Sequence, residues 1–488
     1  MKKNIVEYLL LSLLLVLAII PRLYKIDIPL ADHHSWRQAD TAAVARNFIK
    51  EDWNFLKPTI DNMTNLSDAS TPNPQRLFMV EPPIYQTIIA IFYKIFGIKE
   101  PLARLVSIVF SLGSIIFLYL IVKEFIEEKT ALWTAFFFSV LPYSVYYSRV
   151  ILPEPFMIFC CLAFVFYFIK WLDKNSFFNL ILLIIFGALA LTQKVYPFFL
   201  SLPLFYLLFR KFSFSLLKQK QVWVIAILIV IPIILWRLWI NHFPEGIPPN
   251  EWLLNQGDIR FKGAFFWWIF AKRIGELILG FWGLIPLGIG LVIKPNKKEG
   301  WFFYLWLLSN ILYITVFAAG NVTHDYYQIP LIPIFSIFLA KGVTFLLDKN
   351  NLLIHHWLSK GLLTVCILFT LAFSWYQVRD YYNIQGGVDL AGQAVDQLTQ
   401  KDALILTGDT NDATLLYNTN RHGWTGGYAS YFPNISGSIE KIRQMGGTVY
   451  VTTQWNSLAQ TDFGKYMTAN YSVIKQTDQY IIFNLIKK

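Results

Sequence analysis

The stretch DHHSWRQAD, Asp32 to Asp40, crowds two carboxylates, two imidazoles and a guanidinium into nine residues. A carboxylate can take a proton from a hydroxyl, and a guanidinium can meet the charge of a phosphate leaving group. Four further stretches carry comparable groups. EPPIYQ sets Glu81 before two prolines, SRVILPEPF holds Arg149 and Glu154, TQKVY holds Lys194, and HDYYQIPLIP gathers His324, Asp325, Tyr326 and Tyr327.

Each stretch also has a plainer reading. DHHSWRQAD could be a solvated helix cap with an interfacial tryptophan. Glu81 precedes prolines that suit a first helical turn, where an acid complements the helix dipole. Tyr326 and Tyr327 fit an aromatic belt. Glu154 resists such a reading. A tight connection wants turn residues, which Pro153 and Pro155 supply, and it needs no carboxylate or guanidinium at a lipid boundary.

The elements that must position these groups are apolar. The 488-residue chain is 55% hydrophobic, 17% aromatic and 15% charged, where a soluble domain carries about 25% charged residues. The net charge of +11 sits in short Lys/Arg clusters between apolar runs, as in cytoplasmic loops, and does not point to nucleic acid. Cys160, Cys161 and Cys366 lie inside apolar runs and read as small buried hydrophobes. The first apolar run ends in Pro21 and Arg22 without a small-residue cleavage site, so it is expected to be a retained span and not a signal peptide.

Charge-poor runs of membrane-crossing length fall near 5–21, 102–122, 130–148, 155–172, 177–193, 196–210, 221–240, 272–293, 301–319, 327–346 and 357–377. The shorter run 83–97, which contains Lys94, reads as interfacial. With that choice most Lys/Arg clusters, among them 210–220 and 294–300, face the cytoplasm. The loops 22–101, 149–154, 194–195, 241–271 and 320–326 then share the outer face. The predicted fold is a polytopic α-helical membrane protein of about eleven spans, with interfacial helices in its first outer loop and a small C-terminal extracytoplasmic α/β domain. The predicted division is a membrane catalytic part over 1–377 and an outer domain over 378–488. DALILTGD (402–409), GTVYVTTQW (447–455) and QYIIFNL (479–485) read as strands of that domain, and 388–400 and 437–445 as helices.

On this topology the carboxylates, Arg37, Arg149, Lys194 and His324 gather on one side of the membrane. That side suits transfer from a phosphate-linked lipid to an acceptor outside the cytoplasm, and no nucleotide-binding glycine loop is present. A transporter or lipid flippase is the runner-up, but charges at span ends on one side and the lack of an internal repeat argue against it. A non-catalytic scaffold is a third reading that no residue demands.

The order ARNF (45–48), EPPIY (81–85), SRVILPEP (148–155), LTQK (191–194) and HDYYQIPLIP (324–333) resembles the GT-C-type lipid-sugar glycosyltransferases, which include protein O-mannosyltransferases and aminoarabinose transferases. The resemblance covers roughly residues 1–345, and the tail around LYNTNRHGW (416–424) resembles the variable outer domain of such proteins. It implies a cavity open to the outer face, a polyprenyl-phosphate sugar donor, and a glycan, lipid or protein acceptor. It further implies inversion at the anomeric carbon. Asp32 would be the base, with Asp40 its rival, and Glu154 a second acid that orients the donor sugar or helps hold a metal. Arg37, Arg149, Lys194 and His324 would face the phosphate, with His33, Glu81 and Tyr327 beside the substrate. The chain departs from the family pattern where His33 follows Asp32 in place of a second acid, and where Glu154 replaces an aspartate. His33 and His34 with Asp32 could bind a divalent metal.

Overall fold

The structure, a computed structural model, describes residues 2–68, 71–349, 355–409, 413–426 and 435–487. The loop expected between Lys341 and Lys360 therefore falls partly, at 350–354, outside the described residues. The chain is mostly helical. Among the described residues, six helical segments are long and apolar enough to cross a membrane: Ile5–Arg22, Glu100–Phe125, Glu154–Asp173, Tyr196–Lys218, Lys220–Ile240 and His356–Tyr382. Shorter apolar helices span Ile84–Phe96, Phe177–Gln193, Phe302–Val316 and Leu331–Leu347. Several expected runs are broken. The run 130–148 splits into helices Glu128–Val140 and Pro142–Tyr147. The run 272–293 falls across a π-helix, Trp267–Ile278, and a helix Leu284–Val292, with positive φ at Gly280 and Phe281 between them.

The chain forms two compact units. The first comprises Met1–Tyr24, Leu105–Trp236 and Asn250–Asp380. Its break at Leu141 has a traceable cause. Pro142 has no N–H to give the carbonyl of Phe138, so that acceptor needs another donor. Ser144 Oγ donates to it at 2.7 Å and Arg22 NH2 at 3.3 Å. The same guanidinium donates to Ser139 O at 2.8 Å and to Ser148 Oγ at 2.7 Å. A fully buried arginine thus caps a broken helix. Elsewhere in this unit helices Leu284–Val292 and Leu331–Leu347 approach so closely that only glycine fits. A Cβ at Gly290 would lie 1.9 Å from Phe338 O, and one at Gly342 1.9 Å from Pro286 O.

The second unit comprises Lys25–Arg104, Arg237–Pro249 and Tyr381–Lys488. Strands β1 (Leu404–Thr407), β2 (Gly423–Trp424), β3 (Gly447–Thr452), β4 (Tyr471–Gln476) and β5 (Ile481–Lys487) form one sheet ordered β2-β1-β3-β5-β4. β1 runs parallel to β2 and β3, while β5 runs antiparallel to β3 and β4. Side-chain alternation sends Ile405, Val449 and Val451 to one core with Val388 and Val395 of helix Val388–Leu398. Leu406 and Tyr450 go to the other, with Ile439 and Ile442 of helix Ile435–Gln444. The first loop is part of this body. Ala31 belongs to the first core and Met63 packs on the second. Helix Ser35–Lys50 buries most of its length, packed in part on helix Ile84–Phe96.

Candidate active-site residues

In the second unit Asp32 closes a loop that leads into helix Ser35–Lys50. Arg104, fully buried, ties that loop down by donating to Ile26 O at 2.7 Å and to Ile28 O at 2.5 Å. Its Nη2 lies 3.9 Å from Asp32 Oδ1, beyond hydrogen-bond contact. Gln38, one helical turn on, donates to Asp32 Oδ1 at 2.9 Å and to His33 O at 3.1 Å. Asp32 is buried, whereas His33, His34 and Asp40 are half-buried. The His33 ring stacks on Tyr381, centroids 3.7 Å apart. His34 takes the left-handed conformation at the helix start.

Arg37 and Glu81 meet as an ion pair of 2.6 Å, with both side chains almost wholly buried. Gln86 Nε2 also donates to Glu81 Oε1 at 3.3 Å, and the guanidinium of Arg37 lies 5.1 Å from the Phe78 ring centroid. Pro82 and Pro83 lead into helix Ile84–Phe96, as the proline pattern predicts.

In the first unit Glu154 begins helix Glu154–Asp173, where the dipole favours an anion. Lys194 follows the last residue of helix Phe177–Gln193, and its Nζ lies 3.3 Å from Glu154 Oε1. Arg149 is fully buried in the short turn after helix Pro142–Tyr147. His324 stacks loosely on Tyr326 and Tyr327, at centroid distances of 5.3 and 6.1 Å, and meets Trp252 edge-on at 5.7 Å.

Three further groups have no role assigned from the sequence. Asp325 is buried. Its Oδ1 accepts from Tyr147 Oη at 2.5 Å, its backbone carbonyl accepts from Tyr143 Oη at 2.5 Å, and its Oδ2 lies 3.7 Å from Arg273 NH1. Arg273 also donates to Val322 O at 3.0 Å from a π-helical backbone, a conformation common at functional sites. The third is Arg104. Both arginines fall in predicted apolar spans. A charged residue inside such a run is itself a signal, because a charge at membrane depth is retained only with a partner or a task.

Carboxylates fixed by neutral or charged donors, together with guanidinium and ammonium groups, can move a proton and neutralise a phosphate. A profile of the dolichyl-phosphate-mannose-protein mannosyltransferase family matches residues 80–239. No curated protein matches the sequence. Among solved structures, ArnT from Cupriavidus metallidurans bound to undecaprenyl phosphate superposes with a TM-score of 0.66 at 12% identity, covering 97% of this chain and 98% of that one. The Archaeoglobus fulgidus oligosaccharyltransferase gives 0.59 at 10% identity, over 95% of this chain and 71% of that one. The mycobacterial arabinofuranosyltransferase AftD gives 0.57 at 11% identity, over 97% of this chain and 41% of that one. Over residues 80–239 the chain thus matches the mannosyltransferase family, and over nearly its whole length it has the fold of the GT-C-type membrane glycosyltransferases.

Proposed function

We propose that this protein is an integral-membrane glycosyltransferase that moves a sugar from a polyprenyl-phosphate donor to a glycan, lipid or protein acceptor on the extracytoplasmic face. It would sit as about eleven spans in an inner or plasma membrane. Residues 1–377 would form the membrane catalytic part, and 378–488 the extracytoplasmic domain. The observation that carries the reading is the likeness of 97% of the chain to a transferase fold that holds undecaprenyl phosphate, joined to a family match over 80–239.

In this reading Asp32 takes the proton of the acceptor hydroxyl, and Asp40 is its rival for that role. The acceptor oxygen attacks the anomeric carbon, the bond from that carbon to the phosphate oxygen breaks, and the polyprenyl phosphate leaves with the electron pair. Attack opposite the leaving group inverts the anomeric centre. Glu154, held by Lys194, is the second acid and orients the donor sugar. Arg37, Arg149, Lys194 and His324 meet phosphate charge, with His33, Glu81 and Tyr327 beside the substrate. Arg273 joins the cations, because its guanidinium is only loosely engaged by Asp325.

The test is transfer from undecaprenyl-phosphate-linked mannose, arabinose and aminoarabinose by purified Asp32→Asn and Asp40→Asn proteins. The side-chain amide in Asp32→Asn keeps an oxygen for Gln38 to donate to, so folding is retained. Loss of a general base removes about 10²–10⁴ in rate, and the expected result is that loss in Asp32→Asn alone. Wild-type turnover in Asp32→Asn overturns the assignment. The same loss in Asp40→Asn and not in Asp32→Asn moves the base to Asp40.

A further inference from the structure

The C-terminal segment does more to the Asp32 loop than adjoin it. Four of the six residues from Leu30 to Ser35 each share a bond with it. Asn418 Nδ2 donates to Leu30 O at 3.0 Å, and the Gln385 amide donates to Ala31 O at 2.9 Å. The His33 amide donates to Tyr381 O at 3.0 Å, and its ring stacks on the Tyr381 ring. Thr414 Oγ1 donates to Ser35 Oγ at 2.9 Å. Ala31 sits in the core formed by Val388, Val395 and Ile405. Asp32 is therefore flanked on both sides by residues whose positions the C-terminal domain sets.

The clamp continues along helix Ser35–Lys50. Arg46 donates to Tyr417 O at 3.0 Å and lies over the Tyr417 ring at 4.2 Å, while its other end pairs with buried Asp61. Lys50 donates to Asn420 Oδ1. Thr414 and Tyr417, three positions apart, share one face of helix Thr414–Asn418, and Asn420 follows just past its end. Helix Thr414–Asn418 is itself seated without play, since a Cβ at Gly392 would lie 2.3 Å from Asn418 O.

We infer that the C-terminal domain is a splint for the Asp32 loop, and that Asn418 and Thr414 are positioning residues acting through Leu30 and Ser35. The inference rests on Asp32 being the base for its effect on rate, but not for its effect on loop order. A loop that loses two of these ties samples more conformers, and a shift of about 1 Å at a reacting group can cost about a hundred-fold in rate.

The experiment compares the full-length Thr414→Val/Asn418→Ala protein with wild type and with Thr414→Ser, which keeps the hydroxyl. Hydrogen exchange of peptides covering 29–36 reports loop order, peptides covering β1 and β3 report the integrity of the domain, and turnover of the lipid-linked sugars reports function. The expected result is faster exchange over 29–36 with β1 and β3 unchanged, kcat lower by about a hundred-fold, donor KM unchanged, and wild-type behaviour in Thr414→Ser. Unchanged exchange over 29–36 overturns the inference, whatever happens to kcat. Faster exchange with kcat intact overturns the positioning role. A wild-type rate in Asp32→Asn alongside faster exchange in the double variant refutes the assignment of the base and leaves the splint standing.

Discussion

Removing one member of the Arg37–Glu81 pair should cost more than removing both. The two groups meet at 2.6 Å, with side chains 7% and 2% exposed. In Glu81→Ala the guanidinium stays buried without its carboxylate, and stranding a buried charge costs about 3–5 kcal/mol. In Arg37→Met/Glu81→Leu neither charge remains. What is lost is the acceptor for Gln86, whose Nε2 lies 3.3 Å from Glu81 Oε1, and an unsatisfied buried amide costs about 1–3 kcal/mol. The introduced methionine side chain can pack on the Phe78 ring, whose centroid lies 5.1 Å from the guanidinium carbon of Arg37. The double variant should therefore recover about 2 kcal/mol relative to the single one. Global unfolding of a chain with two units is not two-state, so the readout is the opening free energy of amides in helix Ser35–Lys50, from native-state hydrogen exchange. Transfer from the lipid-linked sugars is measured on the same samples. If Arg37 faces the donor phosphate and Glu81 the substrate, as proposed, the double variant is well folded and inactive. Equal or greater opening in the double variant than in Glu81→Ala refutes the stranded-charge argument. Wild-type transfer by the double variant refutes the role of both residues in the site.

Two other perturbations test packing and ionisation. Gly342→Ala places a methyl against Pro286 O, where a Cβ would lie at 1.9 Å, so helices Leu284–Val292 and Leu331–Leu347 must separate. Overpacking of this kind costs about 1–3 kcal/mol, read as a lower thermal midpoint in detergent, and an unchanged midpoint contradicts the close approach. His422 accepts from Arg76 NH1 through Nδ1 at 3.0 Å, and its Nε2 lies 3.0 Å from Glu51 Oε1. Burial, then Arg76 and Arg46, hold its pKa below the ordinary 6.5 against the pull of Asp61 and Glu51. The unfolded chain therefore binds this proton first as pH falls, and the stability contributed by neutral His422 is lost below about pH 6.5. Once the intrinsic pH dependence of amide exchange is divided out, peptides around β2 should be less protected at about pH 5.5 than at pH 7.5, and His422→Gln should flatten that difference. An equal pH response in His422→Gln rules out His422 as its source.

Much of the helical part was legible, because long apolar runs have few alternatives to a membrane-length helix. Runs 155–172 and 357–377 recur within helices Glu154–Asp173 and His356–Val378. The strands β1, β3 and β5 were legible for a related reason, being short β-branched and aromatic runs bounded by polar turns. β2 has two residues and β4 is exposed over most of its length, so neither carries a burial pattern for periodicity to detect. The breaks near 141 and 279–283 were missed because an apolar composition does not report helix continuity. Pro142 was the available clue for the first of them.

The candidate site divides on a different physical line. Glu154–Lys194 could be suspected because opposite charges at span ends need compensation, and Arg37–Glu81 because both charges fall in the loop 22–101 between apolar runs. Arg22, Arg104 and Arg273 answer the same need, yet most of their acceptors are backbone carbonyls: Ser139 and Ala18 for Arg22, beside the Ser148 hydroxyl, Ile26 and Ile28 for Arg104, Val322 for Arg273. A carbonyl has no residue identity, so no pattern of side chains can announce it. The same holds for the Asp32 loop, which is tied through Leu30 O, Ala31 O and the His33 amide to residues several hundred positions away. The chemistry of a side chain is written locally, but the backbone contacts that aim it are set only once the chain has folded.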